Sequence, residues 1–202
     1  MIIDPASAGV IDVYNALVGT VTPRPIAWVS SRDREGRVNL APFSFFNVFG
    51  ANPPIVAFSS SLRRDKSRKD TLNNVEATGE FVINAAVEAL AAEVNLSAKE
   101  IPPGESEVEL TGLSLKPSIK IQTPRIAESP VHLECKLLQI LQFGDGPISA
   151  NLVIGQVVLI HIEDHILNEH GRPDPRKLQT IGRLGGDDYC RTSELFQIKR
   201  PT

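Results

Sequence analysis

The residues best suited to chemistry crowd into Ser59-Ser60-Ser61-Leu62-Arg63-Arg64-Asp65-Lys66-Ser67-Arg68-Lys69-Asp70-Thr71, where five cations and several hydroxyls fall between a strand-like run and a helical pattern. A helix start leaves backbone N–H groups unpaired, and with cations beside them these favour an anion such as a phosphate. Two other readings stay open. A charge run is usually a solvated loop. It can also be a nucleic-acid patch, although no aromatic side chain is interleaved here for bases to stack on.

A second segment, Asn39-Leu40-Ala41-Pro42-Phe43-Ser44-Phe45-Phe46-Asn47, is strand-like, rich in aromatics and interrupted by proline. Pro42 cannot donate to a ladder, so the segment should bend or lie on a sheet edge and leave neighbouring N–H groups free for a ligand. A large, flat, mostly apolar ring whose rim needs a few fixed donors would suit such a surface. An aromatic core strand is the alternative. The remaining candidates are weaker. His161-x-x-x-His165 has helical metal-ligand spacing but falls where a strand runs into a loop, so no metal is expected. Cys135 and Cys190 lack CxxC companions and read as buried, unreactive thiols.

The elements that must position these groups read mainly as short strands and turns, because fifteen prolines and fourteen glycines interrupt the 202 residues. A short amphipathic helix or extended lead-in is expected over Ser7 to Leu17, followed by a hairpin from Ile26-Ala27-Trp28-Val29-Ser30 through Asp33-Arg34-Glu35-Gly36 to Val38–Phe46. Ile55-Val56-Ala57-Phe58 follows a stiff Asn52-Pro53-Pro54 entry. Ser67 and Asp70 have capping-box spacing for a helix through Leu72 and Val75 that stops at Gly79. Glu80-Phe81-Val82-Ile83-Asn84 is a strand, and Val87, Leu90, Ala91 and Val94 recur at helical spacing. After a polar, Pro-rich loop around Ile101 to Glu107, Val131–Phe143 and Ile148–Ile162 form a long hairpin joined by Gly144-Asp145-Gly146-Pro147. Both faces of Leu152–Ile162 are apolar, as for a strand between a barrel core and a helix or second subunit, so a twofold dimer is expected.

With 42% apolar and 22% charged residues the chain can bury one core, and residues 1–202 read as a single domain. A net charge of -3 argues against a coat for nucleic acid. The amino terminus has no signal-peptide pattern and no apolar run is long enough to span a bilayer, so a cytoplasmic protein without membrane partners is expected.

Together these segments, with Thr22-Pro23-Arg24-Pro25-Ile26 upstream, resemble the flavin reductase-like family of FMN-binding split β-barrels. The resemblance runs through Asn39-Leu40-Ala41-Pro42-Phe43-Ser44, Asn52-Pro53-Pro54-Ile55-Val56, Lys69-Asp70-Thr71-Leu72-Asn73-Asn74 and Gly79-Glu80-Phe81-Val82-Ile83-Asn84, and more weakly into Glu128-Ser129-Pro130. It implies a mainly β barrel with a few helices. The flavin ring would lie against Ala41, Pro42, Phe43, Ser44 and Phe45, with Asn39 and Ser44 as polar contacts and Arg24 nearby. The phosphate would meet Ser60, Lys69, the Asp70 N–H and Thr71, with Asn74 and Arg64 behind them. Arg183 and Tyr189 would face substrate. The implied reaction is hydride transfer from NADH or NADPH to flavin and on to an acceptor. Such chemistry needs no acid–base side chain, so no catalytic residue is assigned. No GxGxxG fingerprint is present, so nicotinamide would bind in an open groove. The alternatives are a flavoredoxin-like electron carrier reduced by a partner protein, or a non-catalytic flavin-binding protein.

Overall fold

Alternation along β1 (Ala27–Arg32) sends Ala27 and Val29 to one face and Trp28 to the other, and all three are fully buried, so this strand must be covered on both sides. The computed structural model, which describes residues 1–102 and 105–201, shows how. β1 lies within a seven-stranded antiparallel sheet ordered β2-β1-β5-β8-β9-β4-β3. Its other strands are β2 (Val38–Phe43), β3 (Phe46–Ala51), β4 (Pro54–Ser59), β5 (Glu80–Ala85), β8 (Val131–Phe143) and β9 (Ala150–Ile162). The two edge strands, β2 and β3, are joined by Ser44 and Phe45 alone. Flat, a sheet of this width would hold its edges about 29 Å apart, whereas the chain from Phe43 to Phe46 reaches at most about 11 Å. The sheet therefore curls into a barrel that stays unpaired between β2 and β3, a split barrel.

Inside, Val29, Phe43, Phe58, Phe81 and Val153 form the core, and Leu72 and Val75 of α2 (Asp70–Thr78) pack into it. Phe43 and Phe58 lie 4.9 Å apart, and Phe81 meets Phe58 edge-on at 5.4 Å. Gly155 makes this possible. A Cβ there would lie 2.4 Å from Phe81 Cζ. Outside, a second core around Trp28, Leu40, Val94, Val108 and Ile126 sits under α3 (Ala91–Leu96) and α4 (Glu107–Thr111), and the Trp28 indole donates to Ser97 Oγ at 2.9 Å.

Most expected elements are present, with shifted ends. The lead-in is helical, α1 (Val10–Thr20), yet Val10, Ile11, Tyr14 and Leu17 remain exposed and only Val18 is buried. The single strand expected to Phe46 breaks after Phe43, and Phe46–Ala51 is a strand of its own. The helical spacing at Val87–Val94 resolves into a 3-10 turn, Glu88–Leu90, and the short α3. Pro103 and Gly104 of the expected loop lie outside the described residues; beyond them the chain forms α4, started by Ser106 accepting from the Val108 N–H. The outer face of β9 has no full cover, since Leu152, Ile154 and Val158 are only half-buried and Ile160 is exposed. Small paired strands, β6 (Leu115–Lys116) with β7 (Arg125–Ile126) and β10 (Ile181–Arg183) with β11 (Tyr189–Arg191), tie the later loops, with the short α5 (Pro175–Leu178) between the two pairs. No helix of the described residues is long and apolar enough to cross a membrane.

Candidate functional site

Helix α2 begins at Lys69, whose side chain cannot accept a hydrogen bond, so the first turn has no side-chain cap. The capping box expected from Ser67 and Asp70 does not form. The Ser67 hydroxyl and N–H turn back to Asp65 Oδ1 at 2.6 and 2.8 Å, because a short loop closed by Arg63 N–H to Ser67 O points Ser67 away from the helix. The N–H groups of Asp70 and Thr71 donate to no protein acceptor among the described residues. At the other end Gly79 takes the left-handed conformation at φ 71°, the expected stop.

This uncapped terminus opens into a pocket of about 110 Å³ together with Asn39, Ala41 and Pro42 of β2. Asn39 Nδ2 donates to Thr71 Oγ1 at 2.8 Å, tying the edge strand to the helix start. Lys69 lies over the Phe43 ring, its Nζ 5.6 Å from the centroid, and forms no ion pair with a carboxylate of the described residues. Burial, and next the Arg63 charge, hold its ammonium below the usual lysine range, with Glu100 opposing. Arg63 pairs with Asp70 Oδ2 at 3.0 Å, so the Asp70 carboxylate is neutralised rather than aimed at an anion.

Seven lining residues of this pocket escaped the sequence reading: Arg63, Glu107 and the five from Ser97 to Ile101 that follow α3. Arg63 lines it, whereas its neighbour Arg64 is exposed and does not. Adjacent arginines differ by no sequence signal; the tight turn through Lys66, at φ 68°, decides between them. Glu107 of α4 is buried and accepts the Leu40 N–H at 3.0 Å, with burial raising its carboxyl above the ordinary range. Ser106 donates to Val38 O at 2.6 Å. The outward edge of β2 is thus closed at Val38 and Leu40, and Pro42 has no N–H to offer. The free N–H groups expected around Pro42 are found only after it: those of Ser44 and Phe45, in the bend between β2 and β3, meet no protein acceptor among the described residues.

Other expected residues fall elsewhere. Ser60 is fully buried, its hydroxyl without a partner and its backbone bonded to Asn151, and it does not line the pocket. Asn74 turns to Ser31 Oγ at 3.2 Å and anchors α2 on β1. The Arg24 guanidinium, whose basicity burial lowers, donates to Val18 O at 2.6 Å, Val21 O at 2.9 Å and Leu184 O at 2.8 Å, and reaches Ser44 Oγ at 3.4 Å. It lies beside the Phe45 ring, so it borders the bend while clamping α1 to the carboxy-terminal segment. Arg183 packs on Tyr189 with its guanidinium 4.5 Å from the ring centroid, bonded to Asp188 O at 3.0 Å. His161 meets Glu134 at 2.6 Å within a strand pair, and no group of metal-ligating side chains gathers among the described residues. Cys135 is buried, and that burial pushes its thiol well up; Cys190 is only half-buried, contrary to expectation, because β11 lies at the surface.

The fold and the pocket define a mainly β split-barrel protein with an uncapped helix start facing the edge strand β2. The chain belongs to the family of the flavin reductase like domain, whose model matches residues 18–177. Its structure is similar to that of nitrilotriacetate monooxygenase component B from Bacillus cereus, 36% identical, with a TM-score of 0.92 and 98% of each chain covered. It is also similar to the 2-nitrobenzoate 2-nitroreductase of Pseudomonas fluorescens, 33% identical at a TM-score of 0.89, covering 100% of this chain and 97% of that one. A Shewanella frigidimarina protein with a split barrel domain, 21% identical at a TM-score of 0.84 over the full length of both, shares the fold.

Proposed function

We propose that this protein binds FMN non-covalently and acts as an NAD(P)H-dependent flavin oxidoreductase, passing electrons from nicotinamide to flavin and on to an acceptor. The observation that carries the reading is the pocket in which Lys69, without an ion pair among the described residues, and the free N–H groups of an uncapped helix meet Asn39, Ala41 and Pro42 of the β2 edge. A half-buried ammonium without a carboxylate, beside two orphan donors, fits a phosphate monoester, because the dianion would satisfy all three. The free N–H groups of Ser44 and Phe45 fit the carbonyl and nitrogen rim of a flavin ring.

When bound, the flavin would supply the hydride acceptor, its ring N5. The chain's own residues then bind and orient. Lys69, Asp70 and Thr71 would fix the phosphate, Asn39 would hold Thr71 in place, and Pro42 to Phe45 would set the plane of the ring. Arg183 and Tyr189 would border the nicotinamide or acceptor from the carboxy-terminal segment. Positioning of the two rings provides most of the rate. Anaerobic addition of NADH or NADPH to the FMN-loaded protein should bleach the flavin absorbance. Colour retained with both donors would reject the reductase, and rapid bleaching only by a redox protein would make the chain an electron carrier instead.

A further inference from the structure

A second cavity, of about 330 Å³, shares no lining residue with the pocket at the α2 start. Ile26, Phe46, Ile83, Val131, Leu133 and Ile181 line it, where one end of the barrel meets β10. The cavity adjoins the bend through Arg24, which reaches Ser44, and through Phe46, the first residue of β3. Four polar side chains also border it, and each is committed elsewhere. Arg24 makes four hydrogen bonds, three of them to main-chain carbonyls. The Asn84 amide donates to Trp28 O and Ser30 Oγ and accepts from the Ile126 N–H. Thr180 and Thr192 bond to each other at 3.0 Å, and Thr192 also donates to Thr180 O at 2.8 Å. With these groups turned toward the protein, the wall that faces the cavity is almost wholly apolar.

Walls of that kind favour an apolar occupant, and the space exceeds the roughly 150 Å³ that holds benzene. We propose that this cavity is a binding site for an uncharged, flat, apolar ligand of about two fused rings, lying beside the β2–β3 bend and separate from the cationic pocket. The site is argued from its lining alone and does not depend on the flavin reading.

The probes are 2-naphthol and the anion 2-naphthoate, titrated calorimetrically into the purified protein with and without saturating FMN. One site for naphthol is expected, with naphthoate weaker by about tenfold or more. Val131→Phe, and independently Thr192→Trp from the carboxy-terminal side, should each weaken naphthol by about tenfold or more while FMN affinity stays within about twofold. Retained FMN binding reports that either variant is folded. Naphthoate binding as tightly as naphthol would overturn the proposal, as would naphthol binding untouched by both variants. So would one-for-one displacement of naphthol by FMN, which would make the cavity the seat of the flavin ring. Absence of naphthol binding together with a change of oligomeric state in Val131→Phe would show a second copy of the chain covering the cavity, and the proposal would fall with it. Naphthol binding to a protein that fails to bind FMN would leave this site standing and remove the flavin reading.

Discussion

Lys69 and Lys99 carry the unpaired positive charge of the pocket, because Arg63 is engaged by Asp70 while neither lysine has a carboxylate partner among the described residues, and Lys69 is the one at the helix start. Lys69→Ala combined with Thr71→Ala should weaken FMN binding by about 1 to 3 kcal/mol per lost charged contact, read by flavin fluorescence titration. Unchanged affinity would place the phosphate elsewhere. Arg24 calls for a different outcome, because its donors go to the main chain. Arg24→Ala leaves the carbonyls of Val18, Val21 and Leu184 without their donor, and a loss of about 2 to 3 kcal/mol in urea unfolding is expected. Arg24→Lys should restore little of it, since an ammonium cannot fork across three carbonyls. At this scale the sequence was partly legible. Asn39, Ala41, Pro42, Lys69, Asp70 and Thr71 come together because they adjoin the helix start or the β2 edge that faces it. Arg64, Asn74 and Ser60 were implied by the family resemblance, and side-chain direction, which sequence order does not encode, turns them away from this pocket.

Elements were more legible than residues, and their failures have local causes. Gly79, the Asp33–Gly36 turn and the long β8–β9 hairpin follow from turn chemistry and alternation. The β2–β3 break lies in the aromatic-rich run Phe43-Ser44-Phe45-Phe46, where Pro42 signalled a bend or an edge but not that the strand ends two residues before Phe45 and a new one starts at Phe46. The capping box failed because a second acceptor, Asp65, competed for Ser67. Strand β8 carries a pH prediction of its own. His132 is fully buried, donating from Nε2 to Ile126 O at 2.7 Å, with the Arg125 guanidinium 3.4 Å from Nδ1 and the His161 ring 5.9 Å away. Burial above all holds its pKa down to about 4 from 6.5. The unfolded chain therefore takes up a proton that the fold refuses, and stability that is complete above pH 6.5 is lost as pH falls toward 4. Denaturation at about pH 7 and about pH 5 should differ by roughly 2 kcal/mol more in the native protein than in His132→Gln. Equal pH slopes in the two proteins would show that His132 is not the titrating group.

At the scale of the whole molecule, the single chain leaves large apolar side chains uncovered on several elements. The α1 stripe of Val10, Ile11, Tyr14 and Leu17 is exposed, and so are Val48 and Phe49 on the edge strand β3, Leu138 and Phe143 on β8, and Ile160 on β9. Strand β3 in addition presents an unpaired edge of the kind that native proteins usually cover. We propose a twofold homodimer through the β3 edge, since one self-complementary contact hides the same surface on each copy. Phe49, 67% exposed at the edge, is the most informative position, because its side chain adds nothing to the barrel core and a charge there costs the monomer little. Phe49→Glu, alone or with Val48→Glu, should convert a dimer to a folded monomer in sedimentation velocity. A native chain that sediments as a monomer at micromolar concentration would refute the dimer. If the charged variant is monomeric and also loses FMN, the second copy completes the ring side of the site, which joins the exposed Phe45 and the free N–H groups of the bend to the oligomeric state.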